Sequence, residues 1–157
     1  MSESKYRFLY RRRVEFADTD VAGIMHFSNF FRFMEVTEHA FFRSLGFSVF
    51  PTEDVKHSAP DVGWPRIHVS ADYKSPLQFE EEVEVELLVK EIGKQKIEYF
   101  FRFWKNPDSD ADRVLAATGR FVVICVMFDK ETRAMKAVSI PEKIRETISE
   151  APPELLP

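Results

Sequence analysis

The chain has 157 residues and a formal net charge of −4, enough length for one domain with a core of ordinary size and no basic surplus of the kind that nucleic-acid binding requires. One cysteine excludes an internal disulfide, four histidines show no metal-ligand spacing, and five glycines build no phosphate-cradling loop. We therefore expect a single domain over residues 1–157, with no cofactor, no metal and no nucleic-acid partner.

The opening MSESKYRF carries no apolar signal-like segment, and no apolar run approaches the roughly 18 residues needed to cross a bilayer. A cytoplasmic location without membrane insertion is the expectation. Residues 6–16 alternate, with Phe8, Tyr10, Val14 and Phe16 at one parity and Arg7, Arg11, Arg13 and Glu15 at the other, which predicts a strand. Within RRR, alternation sends Arg11 and Arg13 to one face and Arg12 to the other, as solvated strand positions.

"FADTDVAGIMHFSNFF" follows, with two aspartates, a glycine and a histidine just ahead of the strongest helical pattern in the chain. Phe30, Phe33, Met34, Thr37 and Phe41 keep the i, i+3, i+4, i+7 spacing, while Arg32, Glu35, His39 and Arg43 form a polar stripe. The helix has about 16 residues, or roughly 25 Å. Ser28 or Asn29 is placed to cap its start, and Gly46 is a natural left-handed stop.

"FPTEDVKHSAPDVGWP" has three prolines and no period, and reads as a loop. Four strand-like stretches come next, at residues 67–73, 80–90, 96–105 and 114–128. In the second, Val83, Val85 and Leu87 alternate with Glu82, Glu84 and Glu86, which reads as a wet sheet face. "EIGKQK" suits a hairpin connection around Gly93, and "NPDSDAD" a polar turn, so these strands should pair antiparallel. "FVVICVMF" is apolar on both parities, which implies burial on both faces or a subunit contact, with Cys125 as a small core hydrophobe. A short helix over residues 141–149 begins at proline and stops before the proline-rich tail.

One strand, one long helix and a four-strand meander make an α+β chain. The phenylalanine-rich helix is the only element wide enough to cover the apolar face of the sheet. An oligomer is expected.

A helix start presents backbone N–H groups without internal partners and a partial positive charge. If the turn over residues 21–23 folds back, Asp20 lies beside those amides, where its charged form is favoured. A carboxylate next to open donors is the minimum equipment for attack on a polarised carbonyl. Thioesters suit it better than amides, because a thiolate leaves with little need of protonation.

The stretch "VEFADTDVAGIMHFSNFFRFMEVTEHAFFRSLGF" resembles the 4-hydroxybenzoyl-CoA thioesterase-like branch of the hot-dog fold superfamily, whose opening strand ends in Asp-x-Asp-x-x-Gly before a long helix bearing an aromatic pair and a glutamate. "HVSADYKSPLQFEEEVEVELLVKEIGKQKIEYFFRFW" and "ATGRFVVICVMFDKETRAMKAVSIPEKIRE" are similar to later parts of the same family, so the likeness runs from Val14 to about Ile148. It implies a hot-dog fold, an antiparallel sheet of about five strands wrapped around one helix. The implied activity is hydrolysis of acyl-CoA or aroyl-CoA thioesters, or of acyl-carrier thioesters, by a homodimer or homotetramer with sites at subunit interfaces. Coenzyme A is then part of the substrate.

Carried over by position, the resemblance makes Asp20 the catalytic carboxylate, as nucleophile or as general base on water. The polarising amide becomes the backbone N–H of Phe27, with His26 beside it, while Asp18 braces the turn and Gly23 and Asn29 complete the motif against the substrate. Many bacterial members read Tyr-His where this chain reads His26-Phe27, so the histidine stands one position early. Glu35 aligns with a helix carboxylate that is catalytic in another hot-dog branch, and equally suits a polar network with Arg32 and His39. Phe30, Phe31 and Trp64 are candidates for the acyl pocket or for plain core. Lys94 and Lys96 fall where the family places basic residues near the nucleotide phosphates, and equally suit a solubilising hairpin turn. Two other readings stay open: a non-catalytic acyl-CoA-binding module, and a hydroxyacyl thioester dehydratase using His26 and Glu35.

Overall fold

The computed structural model describes residues 5–50 and 62–157. Period-2 alternation produces β1 (Arg7–Arg13), after which a single 3-10 turn, Phe16–Asp18, ends the strand three residues earlier than the apolar pattern implies. The helix α1 (Asn29–Ser44) has the 16 residues expected. Ser28 stands at its N-cap position in helical backbone geometry and makes no side-chain capping bond there. Gly46, at φ +83°, provides the left-handed stop that a side chain would resist.

Four further long strands are β2 (Arg66–Tyr73), β3 (Glu82–Ile92), β4 (Lys96–Lys105) and β5 (Val114–Ile124). They join β1 in one antiparallel sheet ordered β1-β3-β4-β5-β2. The stretch expected as one strand over residues 114–128 is two. Cys125 breaks the ladder by donating its N–H to Gln95 O at 2.7 Å, and β6 (Val126–Phe128) leaves the sheet to pair with a short strand, β7 (Met135–Ala137). The final helix, α2 (Glu142–Thr147), follows Pro141. The expected loop over residues 50–65 falls largely outside the described residues. Among those described, no helix is long and apolar enough to cross a membrane.

The sheet curls around α1, and Val83, Val85, Leu87, Ile97, Tyr99, Phe101 and Phe103 meet Phe30, Phe33, Met34 and Phe41 in one core. This is the α+β hot-dog architecture. Gly119 on β5 lets the helix approach, since a Cβ there would lie 2.2 Å from Met34 Sδ.

The outer face corrects the reading of the acidic run. Glu84 and Glu86 are buried, not wet, because arginines of β1, of β4 and of the turn before β5 lie across them. Arg7 Nε meets Glu86 at 2.6 Å, Arg102 meets it at 3.5 Å, and Glu84 is held between Arg11 at 3.3 Å and Arg113 at 3.2 Å. Arg11 and Arg12 do point to opposite faces, but neither is simply solvated. Arg11 is paired with Glu84 and Asp108, and Arg12 lies 4.3 Å above the Phe33 ring.

Candidate functional site

The loop before α1 is held by backbone bonds from both ends. Thr19 bridges Met25, Ile24 bridges Gln78, and Met25 N donates to Leu77 O at 2.6 Å. Inside this clamp Asp20 N donates to Ile24 O at 2.9 Å and Gly23 N to Asp20 O at 3.0 Å, a tight reversal in which Gly23 adopts φ +79°. Asp18 fixes the other side of the loop. Its carboxylate accepts the Glu15 N–H at 2.9 Å, and its carbonyl accepts both His26 N–H at 2.9 Å and Asn29 Nδ2 at 2.8 Å.

This places Asp20, Ile24, Met25, Phe27 and Phe30 on one wall of a cleft of about 340 Å³, with residues 73–76 on the other. Its lining is mainly apolar, and its size suits a small acyl or aryl group. Tyr73 joins the walls by donating its hydroxyl to Phe27 O at 2.9 Å and setting its ring edge on Phe30, with centroids 4.9 Å apart. Phe30 in turn packs on Phe103.

The polar equipment is sparse and well defined. Asp20 Oδ1 accepts the Ala22 N–H at 2.8 Å, which orients the carboxylate. Among the described residues Oδ2 has no partner, and no acceptor meets the Phe27 N–H. Asp20 and Phe27 both line this apolar cleft, and a carboxylate oxygen with an open amide donor beside it can deliver an electron pair to a carbonyl carbon and hold the negative oxygen that develops.

The remaining predicted residues divide between this cleft and elsewhere. His26 does not line it; its N–H is committed to Asp18, its Nδ1 lies 2.7 Å from Ser28 Oγ, and its ring packs on Phe27. Gly23 and Asn29 shape the loop and likewise stay off the lining. Phe31 packs half-buried against the core. Glu35 is exposed on α1, 3.6 Å from Arg66. Trp64 is buried against Phe42 in the last turns of α1, at the opposite end of the helix from Asp20.

Lys94 and Lys96 line a separate concavity of about 430 Å³ with Glu98 and Arg120. The 11 residues of β3 separate that hairpin from the cleft end of the sheet by roughly 35 Å. There the hydrogen bond from Arg120, with Lys90 beside it, holds Glu98 down to about 2. Sequence reasoning missed Tyr73, Lys74, Ser75 and Pro76, and the only local signal for them was the turn chemistry of "KSP" directly after a strand. Among the described residues no cluster of three or more His, Cys, Asp or Glu side chains forms a metal-sized site.

Comparison with known proteins adds an independent finding. A family profile described as the thioesterase-like superfamily matches residues 14–148. A 1,4-dihydroxy-2-naphthoyl-CoA hydrolase of Prochlorococcus marinus (strain NATL2A) is 31% identical over 99 residues, 61% of this chain and 64% of that protein, so the match spans just under two thirds of that relative. A relative from Aquifex aeolicus (strain VF5) that carries a provisional esterase name is 31% identical over 145 residues, covering 91% of this chain and 98% of its own. The solved structure of 4-hydroxybenzoyl-CoA thioesterase from Pseudomonas sp. strain CBS-3 superposes with a TM-score of 0.75 at 20% identity, over 90% of this chain and 99% of that one, a likeness of fold.

Proposed function

The chain belongs to the thioesterase-like superfamily, and from that premise we propose that it hydrolyses acyl- or aroyl-coenzyme A thioesters to the free acid and CoA at the Asp20–Phe27 cleft. The observation that carries this is the pairing of an oriented carboxylate oxygen with an open backbone donor on the wall of one apolar cleft. The Phe27 N–H polarises the thioester carbonyl and stabilises the oxyanion. Asp20 either attacks the carbonyl carbon, giving an anhydride that water then opens, or removes a proton from the attacking water. In both routes the thiolate departs with the C–S bonding pair, and carboxylate, amide and water suffice without a cofactor. The relatives named for aroyl-CoA substrates support an aromatic acid as the acyl part, and the aromatic walls from Phe27, Phe30 and Tyr73 agree with that.

The working form is a homodimer or a homotetramer. β2 is an edge strand whose Ile67, Val69 and Tyr73 are about half exposed, and an unpaired edge of this kind is a template for a second copy. Antiparallel pairing of two such edges brings the Arg66 end of one strand beside the Tyr73 end of the other, which sets the cleft at a subunit boundary. A panel of acyl-CoA, aroyl-CoA and acyl-carrier thioesters, followed by appearance of free thiol, tests the reading. Release from at least one aroyl-CoA is expected, whereas binding without release across the panel favours a non-catalytic module.

A further inference from the structure

Away from the cleft, four fully buried side-chain atoms meet no hydrogen-bond partner among the described residues: Glu38 Oε1, Trp64 Nε1, Arg66 Nε and the Tyr99 hydroxyl. They belong to one cluster. Glu38 and Phe42 stand one turn apart on the face of α1 that looks toward the start of β2. There Arg66 Nη2 reaches Glu38 Oε2 at 3.0 Å, and Trp64 packs edge-on to Phe42 with centroids 5.8 Å apart. Arg66 Nη1 donates to Trp64 O at 3.3 Å, and its guanidinium lies 5.1 Å over Phe121, the register partner of Tyr99. The Tyr99 hydroxyl is close enough to feel the charges of both Glu38 and Arg66.

Burying a polar atom without a partner forfeits its hydration, so native interiors hold few such groups, and four in a single cluster call for an occupant. The atoms say which kind. Two are N–H donors, one is a carboxylate acceptor and one is a hydroxyl that does either. A cation would face Arg66 and an anion would face Glu38, so the occupant is neutral. With Glu38 ionised, a single oxygen with two lone pairs and two hydrogens offers one bond to each of the four atoms. We propose that Glu38, Trp64, Arg66 and Tyr99 form an internal binding site for one ordered water molecule, which accepts from Trp64 Nε1 and Arg66 Nε and donates to Glu38 Oε1 and the Tyr99 oxygen. The site ties α1 to β4 and to the entry of β2. It does not depend on the thioesterase reading.

Two measurements test it. A crystal structure of the full chain at a resolution that orders internal water is expected to show one isolated oxygen peak within 2.7–3.2 Å of the four atoms; a side-chain atom in that place, or no density, overturns the proposal. The Tyr99→Phe variant gives a test by sign. With the water present, removing the hydroxyl breaks a satisfied bond and Tm falls by about 2–4 °C. An orphaned hydroxyl would instead leave Tm unchanged or raise it on removal, and that result also overturns the proposal.

Discussion

At the scale of single residues, the molecule uses carboxylates in three distinct ways. Asp20 lines the cleft with one of its oxygens held by a backbone amide. Glu84 and Glu86 are enclosed by arginines and hold strands together. Glu38 is buried in the seam between helix and sheet, where burial pushes it up to about 7 against the pull of Arg66. Its consequence for stability has a definite sign. Because the folded value lies above the ordinary 4.5, the folded chain holds a proton that the unfolded chain releases, so the Glu38 contribution to stability is full below about pH 4.5 and is lost as pH rises toward about 7. The loss is on the order of 3 kcal/mol. His39, lowered by burial, acts the other way as pH rises toward 6.5, and Glu98 acts only below 4.5. Urea titrations of the parent and of Glu38→Gln at several pH values isolate the Glu38 part: the difference between them should slope between pH 4.5 and 7 and be flat outside that window. None of this was legible from sequence, where a glutamate between two helical stripes carries no sign of burial.

At the scale of elements, legibility followed periodicity. The phenylalanine spacing located α1, and alternation located β4 at residues 96–105, because both elements bury one face and leave the other partly exposed. The same logic failed at 114–128. A run that is apolar on both parities hides the point at which the chain changes partners, and here that point is a bond from Cys125 N to Gln95 O. β7 is three exposed residues and has no pattern to read. The wet-face reading of β3 failed because local alternation shows that glutamates share a face, and not that Arg7, Arg11, Arg102 and Arg113 cover it. Helix and sheet meet most closely at Gly119, so Gly119→Ala forces Met34 out of a full core and should destabilise by about 1–3 kcal/mol in urea unfolding. Much of that loss should be absent when the substitution is made in a Met34→Ala background, since the clash is then gone. Equal costs in both backgrounds would show that the helix does not rest on this glycine.

At the scale of the whole molecule, the sheet brings the turn after β2 against the loop before α1, and about forty residues of intervening chain separate the two walls of the cleft. The sequence motif pointed to the Asp20 wall because its residues are contiguous. The Tyr73 wall is assembled by the fold and left only a turn signal. Assembly extends one step further if copies join along β2. A charge placed on that edge by Val69→Lys should shift the mass measured by light scattering toward the monomer, and lower turnover with it, while leaving Tm within a few degrees; an unchanged mass would remove β2 as the seam. The proposed chemistry rests on Asp20, and the most direct measurement of it compares thioester binding and single-turnover hydrolysis in the parent and in Asp20→Asn. The substitution keeps the shape of the side chain and removes its charge, so substrate affinity should stay within about threefold while the hydrolytic rate falls by at least about a thousandfold. Hydrolysis at the parental rate by Asp20→Asn would contradict the assignment.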